Sequence, residues 1–181
     1  EIEELGYNYR IDDIRSTIGI EQLKKIDGLN NLRRKVANNY LKLIKSHDYL
    51  SLPENNTEYS YHTWNQFALR FKNNNFSLKE KSEKLFETDY KKYKSLRNFV
   101  KNNLYTKNIN SIIYYPIPIH SQKAFQNIDF RREELIKTEK ICSEILSLPM
   151  FPEITYEEQS YIVKNLNTSI NHYFKEIQIS A

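Results

Sequence analysis

The sequence predicts an α+β fold in which helices dominate and a small sheet completes the core. Several segments repeat apolar residues every three or four positions, which is typical of helices with one buried face. Two shorter segments show the alternation or the β-rich composition of strands. The predicted order is helix, helix, strand, helix, strand, helix, helix. With 181 residues, of which 39% are hydrophobic, the chain is long enough to bury a core.

Two helices are predicted before residue 46. Asp12 or Asp13 can cap the first one, and Gly28 is the expected point at which it loosens or breaks. Its apolar positions are Ile11, Ile14, Ile18, Leu23 and Ile26. The second helix carries a regular apolar stripe formed by Leu29, Leu32, Val36, Tyr40 and Leu43. Residues 46–60 are polar and include Pro53, so we expect a loop there.

A strand and two helices are predicted in the middle of the chain. The strand lies between Trp64 and Phe71, because Phe67, Leu69 and Phe71 alternate with other residues. Ser77 and Glu80 form a capping box that opens a Lys-rich helix. The next helix is indicated by the spacing of Leu96, Phe99, Val100 and Leu104.

The last third predicts one short strand and two helices. The strand spans Ile112 to Tyr115 and is stopped by Pro116. A helix follows that ends before Pro149, with Leu135, Cys142 and Ile145 on one face. Thr155 and Glu158 form a second capping box. The helix that it opens has an apolar face of Ile162, Leu166, Ile170 and Phe174.

General motifs exclude several classes of protein. The chain has no GxGxxG, P-loop, HExxH or GxSxG sequence. Its histidines, at 47, 62, 120 and 172, lack the spacing of metal ligands, so no metal site is expected. The single cysteine, Cys142, excludes an internal disulfide framework and is best interpreted as a small core residue. No apolar run is long enough to span a membrane and no signal peptide opens the chain, so we expect a cytoplasmic protein.

The positive charge is concentrated in one segment. The residues from Lys72 to Lys107 contain ten basic and four acidic residues, a balance of +6, whereas the whole chain carries +4. Such a segment can attract nucleic acid by counterion release, and this alternative stays open. The acidic residues interleaved with its lysines favour a solvated helical face. We therefore expect no nucleic-acid partner and no membrane partner.

Three local patterns are candidates for a functional site. The first is Gly6-Tyr7-Asn8-Tyr9-Arg10 before the first capped helix, where an amide and a guanidinium could contact a phosphate. The second is 61–67, in which Asn65-Gln66 enters an apolar strand. The third is 114–120, where Pro116 and Pro118 stiffen a backbone that carries tyrosines and His120. From the residues alone, ordinary packing remains the simpler interpretation of each pattern.

Taken in this order, the patterns resemble the C-terminal half of the DegT/StrS family of pyridoxal-phosphate-dependent sugar-nucleotide aminotransferases. The resemblance spans residues 4–167. Its motifs are GYNYRIDDIR with IGIEQL at the start, YPIPIH with Gln122 in the third pattern, and LSLPMFP with Thr155 near the end.

The resemblance implies a fold-type-I transferase with a large cofactor domain and a smaller C-terminal α/β domain. The large domain, with the lysine that holds pyridoxal phosphate as a Schiff base, is missing from this chain. The family works as a homodimer with active sites at the subunit interface. Glutamate is its usual amino donor and a keto group on a nucleotide-linked sugar is the acceptor, in amino-sugar and surface-polysaccharide biosynthesis.

The resemblance also assigns site residues and domain limits. Asn8 and Arg10 match positions at the cofactor phosphate of the neighbouring subunit, and Tyr115, His120 and His62 match positions on the substrate side. No catalytic residue is expected here, because the Schiff-base lysine is absent. Residues 1–45 would be interface helices, 46–170 the small domain with a Lys-rich insertion at about 73–95, and 171–181 a tail.

Several functions remain open at this point. Asn65-Gln66-Phe67 with Tyr114-Tyr115-Pro116 is more similar to members that aminate sugar carbon three than to those acting at carbon four. A family member that dehydrates the sugar, with a histidine in place of the lysine, is the first alternative. A truncated, non-catalytic interaction protein is the second. We expect this chain alone to be catalytically inactive, since pyridoxal phosphate chemistry needs the attachment.

Overall fold

The computed structural model describes residues 6–7, 9–45, 47–55, 61–72, 95–125, 127 and 135–179. Within these ranges the chain forms five α-helices and three strands. In chain order they are α1 (Asp13–Leu23), α2 (Ile26–Leu43), β1 (Leu50–Ser51), β2 (Phe67–Phe71), α3 (Leu96–Thr106), α4 (Ile136–Glu144), β3 (Ile145–Leu148) and α5 (Tyr156–Ile179). The predicted helix-rich α+β class with a small sheet is confirmed.

The three strands form an antiparallel sheet in the order β1-β2-β3. Phe67 pairs with Leu148 and Leu69 with Leu146, so the apolar residues of the two strands share one face. That face is buried, as the alternation around Phe67 predicted. An isolated bridge between Ile112 and Ser147 extends the sheet beyond β3.

Helices α2, α3 and α5 cover the apolar face of the sheet. Helix α5 packs against α2 and α3, and α3 also contacts β3. Gln159 on α5 is completely buried, and its Nε2 donates to the Val36 carbonyl on α2 at 2.8 Å. The Asn39 amide donates to the Oε1 of the same glutamine at 3.0 Å. Both ends of the buried amide are therefore satisfied by α2, which fixes the two helices together.

The predicted helix starts are confirmed where the structure describes them. Asp12 caps α1, since its Oδ1 accepts from the Arg15 backbone amide at 2.8 Å. In the second capping box, Thr155 Oγ1 accepts from the Glu158 amide and Glu158 Oε2 accepts from the Thr155 amide. The first capping box and the predicted Lys-rich helix lie at 73–94, outside the described residues.

Two predicted helix boundaries are wrong. The first break falls at Lys24 and Lys25, and Gly28 lies inside α2. An added Cβ at Gly28 would meet nothing within 4 Å, so the glycine serves no close approach and its cost in the first turn is tolerated. The other helix ends at Glu144, not just before Pro149, because Ile145–Leu148 pairs with β2 as a strand.

Two short segments also differ from expectation. The predicted loop at 46–60 contains β1, where Leu50 pairs with Phe71. In the predicted strand at 112–115, Ile112 alone makes a bridge. Helix α5 continues through the predicted tail to Ile179. Among the described residues, no helix has the length and apolar character needed to cross a membrane.

Helix α1 differs from the other helices because none of its residues is buried by the described parts of the chain. Ile14 and Ile18 are 75% and 58% exposed. An exposed apolar row on a capped helix is typical of a surface that meets another protein surface.

Tyr40 predicts a pH dependence of stability. Its hydroxyl donates to the Pro149 carbonyl at 2.9 Å, and burial raises the pKa of Tyr40 above its ordinary value of 10.0. Above pH 10 the unfolded chain releases this proton while the folded chain keeps it. The free energy of unfolding should therefore fall as the pH rises through this range, by up to about 1.4 kcal/mol per pH unit.

Tyr40→Phe should lose about 1 kcal/mol at neutral pH, with the hydrogen bond, and show a shallower decline above pH 10. Urea unfolding at pH 7 to 11 measures both effects. Tyr105→Phe is the matched control, because Tyr105 is 72% exposed. An unchanged slope in Tyr40→Phe would contradict the assignment.

Candidate functional site

A cavity of about 210 Å³ lies where the ends of β2 and β3 meet the chain after α3. Its polar lining consists of Asn65, Gln66, Asn110, Tyr114 and Ser147. Its apolar lining consists of Ile112, Leu148, Pro149 and Met150. Two of the patterns noted in the sequence, around Asn65-Gln66 and Tyr114, thus contribute to the same cavity.

Arg33 on α2 holds two walls of this cavity together. Its Nη1 donates to the Trp64 carbonyl at 3.5 Å and to the Met150 carbonyl at 3.3 Å. These carbonyls belong to the segment entering β2 and to the segment leaving β3. A single guanidinium on a rigid helix therefore sets the spacing between them.

Trp64 turns the chain just before Asn65 and Gln66. Its φ is 54°, a left-handed conformation that is uncommon for a bulky residue and is maintained here by the surrounding packing. The ring is only 1% exposed and stacks on Phe67 at 5.6 Å between centroids. The buried ring stabilises the turn that directs the following residues to the cavity.

His62 supports the same turn. Its Nδ1 accepts a hydrogen bond from the Trp64 amide at 2.8 Å, and the two rings stack with centroids 4.2 Å apart. Arg34 on α2 donates from Nε to the His62 carbonyl at 3.1 Å. These contacts give His62 a structural function at the strand entrance. It is not among the residues that line the cavity.

Ser147 is the cavity residue that the sequence analysis missed. It lies in β3, which was predicted as helix, so the alternation that turns it away from the apolar face was not visible. Ser147 is 4% exposed, and its Oγ has no hydrogen-bond partner among the described residues. A buried hydroxyl without a partner is costly unless a ligand or water pairs with it.

The loop that carries Tyr115 and His120 leads away from this cavity. Tyr114 lines the cavity and is half-buried, whereas Tyr115 is 67% exposed. Pro118 is buried and precedes a short 3-10 turn, Ile119–Ser121. Gln122 Nε2 donates back to the Ile117 carbonyl at 3.2 Å, which closes the loop on itself.

His120 is fixed to α4. Its Nε2 lies 3.1 Å from Glu139 Oε1, and the side chains are 12% and 14% exposed. A hydrogen on Nε2 would be donated to this carboxylate, which orients the imidazole within its loop. Glu139 was not singled out in the sequence, since it is 19 residues away and on another element.

The first pattern is described in part. Arg10 is exposed and lies two residues before the N-cap of α1, so its guanidinium is accessible at a helix N-terminus. The rings of Tyr7 and Tyr9 pack on each other with centroids 5.6 Å apart. Asn8 lies outside the described residues.

Other buried charges serve the fold. Burial lowers the pKa of Arg97 to about 10, and its Nη1 donates to the Cys142 carbonyl at 2.8 Å. Glu144 pairs with Arg70 at 2.8 Å beneath the sheet. Burial raises the pKa of the Cys142 thiol, which agrees with a packing residue. In the described parts of the chain, no group of three acidic, histidine or cysteine residues could bind a metal ion.

The fold and these motifs define the C-terminal part of an aminotransferase-like protein. The sequence model of the DegT/DnrJ/EryC1/StrS aminotransferase family matches residues 1–167, and the chain belongs to this family.

Two curated relatives and one solved structure illustrate the relationship. A dTDP-3-amino-3,6-dideoxy-α-D-galactopyranose transaminase of Aneurinibacillus thermoaerophilus is 39% identical over 34% of this chain and 16% of its own. A 3-oxo-glucose-6-phosphate:glutamate aminotransferase of Bacillus subtilis is 28% identical over 92% of this chain and 33% of its own. The PLP form of the sugar aminotransferase Spr1654 of Streptococcus pneumoniae has a TM-score of 0.73 at 19% identity, covering 95% of this chain and 39% of that one. The chain thus spans less than half the length of each.

A double-mutant cycle on His120 and Glu139 tests the anchor of the loop. His120→Ala, Glu139→Ala and the double variant should give a coupling free energy of about 1–2 kcal/mol by urea unfolding, because the pair is mostly buried. The control cycle uses Glu21 and Lys24, an exposed pair on α1, and should show almost no coupling. Equal coupling in both cycles would show that His120 is not anchored by α4.

Proposed function

We propose that this chain supplies the C-terminal domain of a pyridoxal-phosphate-dependent aminotransferase that transfers an amino group from glutamate to a keto group at carbon three of a nucleotide-linked sugar. The observation that carries the proposal is the family match over residues 1–167. It agrees with the helix-rich α+β fold and with the cavity formed by two of the three sequence patterns.

The names of the relatives support the acceptor and the donor. The relative from A. thermoaerophilus is named for a dTDP-linked 3-amino sugar, and the one from B. subtilis for a 3-oxo sugar and glutamate. Both names place the reacting position at carbon three. We extend the same position to this chain, within amino-sugar and surface-polysaccharide biosynthesis in the cytoplasm.

The described residues fit part of a cofactor site. Arg10 is an exposed guanidinium at the N-terminus of α1, a suitable donor to a phosphate. We assign Asn8 and Arg10 to the cofactor phosphate of the neighbouring subunit. When bound, pyridoxal phosphate supplies the electron sink for amino transfer, and the residues of this chain contribute binding and orientation.

The substrate side is assigned to Tyr115, His120 and His62. Tyr115 is exposed on a closed loop, so its hydroxyl can meet a ligand brought by another domain. His120, held by Glu139, orients that loop. His62 acts through the turn at Trp64 and positions Asn65 and Gln66.

The exposed apolar residues of α1 support assembly as a homodimer. Ile11, Ile14, Ile18 and Leu23 are between 58% and 75% exposed. Burial of such a row against a second protein surface is favourable at about 25 cal/mol per Å² of apolar area. Arg10, adjacent to α1, would then lie close to the subunit boundary.

The function is tested in the protein that carries this chain together with a cofactor-binding domain. With glutamate and a nucleotide-linked 3-keto sugar, we expect 2-oxoglutarate and the 3-amino sugar in equal amounts, measured by mass spectrometry. The 4-keto isomer is the matched control and should give neither. Loss of water without amine formation would establish the dehydratase alternative, and no reaction with any keto sugar would contradict the proposal.

The phosphate contact is tested by cofactor retention in the same protein. Asn8→Ala and Arg10→Ala should each raise the dissociation constant for the cofactor by about tenfold, since each removes a hydrogen bond to a charged group. Absorbance of bound cofactor during dialysis measures the loss. Arg15→Ala is the control, because Arg15 is exposed on the same helix and pairs with Asp12. Wild-type retention in both variants would exclude the assignment.

A further inference from the structure

The geometry points to a ligand subsite in the cavity lined by Asn65, Ser147 and Tyr114: we propose that it binds one neutral ring with a hydrogen-bonding edge. Such a ring is the pyranose or the base of a nucleotide-linked sugar. The inference rests on the proposed function for the source of the ring. The cavity and its chemistry are independent of it.

The first observation is the unused hydroxyl of Ser147. This side chain is 4% exposed and its Oγ has no partner among the described residues, although the Ser147 backbone pairs with Ile112 at 3.0 and 2.8 Å. The backbone is thus satisfied while the hydroxyl, which can donate and accept, is unpaired in the cavity wall. A ligand group at this point would recover the hydrogen bond that folding left unmade.

The second observation is the charge of the lining. None of the described residues that line the cavity is acidic or basic. Asn65, Gln66 and Asn110 are carboxamides, each able to donate and to accept. A phosphate would find no counter-charge here, whereas a neutral group with hydroxyls, or with alternating carbonyl and N–H groups, matches this lining.

The third observation is size. A volume of 210 Å³ is below the range of about 300–1,000 Å³ typical of sites for whole drug-sized ligands. It corresponds to about seven waters at their volume in the liquid. The cavity therefore suits one ring, and the apolar residues Leu148 and Met150 can cover the face of that ring.

The test is a titration of the 181-residue chain, followed by amide ¹H–¹⁵N chemical shifts. The probes are methyl β-D-glucopyranoside, uridine and inorganic phosphate. One of the two neutral rings should shift the amides of Asn65, Gln66 and Ser147 with a dissociation constant on the order of 1–10 mM, the affinity of a single small ring. Inorganic phosphate should leave these amides unchanged.

Matched serine variants locate the site. Ser147→Ala should weaken binding of the ring by about fivefold, the worth of one neutral hydrogen bond. Ser111→Ala is the control, because Ser111 is also 4% exposed with an unpartnered Oγ but does not line the cavity. Asn65→Ala, at an exposed position, should weaken binding similarly and carries the test if Ser147→Ala alters the fold.

The outcomes separate this inference from the proposed function. Binding of the glucoside identifies the sugar as the occupant, and binding of uridine identifies the base. Binding of neither ring, binding of phosphate at these amides, or equal effects of Ser147→Ala and Ser111→Ala would overturn the subsite. Each of these results is read without any amino transfer, so a failed assay for transfer leaves the subsite standing.

Discussion

The two-residue alternation of β2 and β3 is the constraint on which the rest of the described structure depends. Their antiparallel register places Phe67 opposite Leu148 and Leu69 opposite Leu146. Burial of this shared face against α2, α3 and α5 forms the core. A shift of either strand by one residue would expose the whole apolar set, so core packing selects one register.

The same register creates the cavity. With Leu146 and Leu148 committed to the core, Ser147 must face the other side of the sheet. Trp64 and Arg33 then bring the segment before β2 next to the end of β3. Core and cavity are therefore two faces of one packing solution, and the polar lining follows from which residues the core excludes.

The positions assigned to cofactor and substrate are mostly exposed, and the cavity is small. Arg10 and Tyr115 are accessible, whereas His120 is held by Glu139 at the base of its loop. Together with the exposed apolar residues of α1, this arrangement is that of a surface prepared to meet a second surface. A site of this kind gains its geometry from rigid elements on each side of an interface.

The sequence by itself determined the elements whose signals are local. Capping at Asp12 and at Thr155 with Glu158, the alternation of β2 and the apolar face of α3 depend on residues close in the chain, and all are present. The family resemblance was also readable from ordered motifs. Tertiary structure alone decided that Ile145–Leu148 is a strand, because β2 supplies its hydrogen-bond partners. It also decided the contacts of Ser147, Gln159 and His120, since their partners are distant in sequence and only packing brings them together.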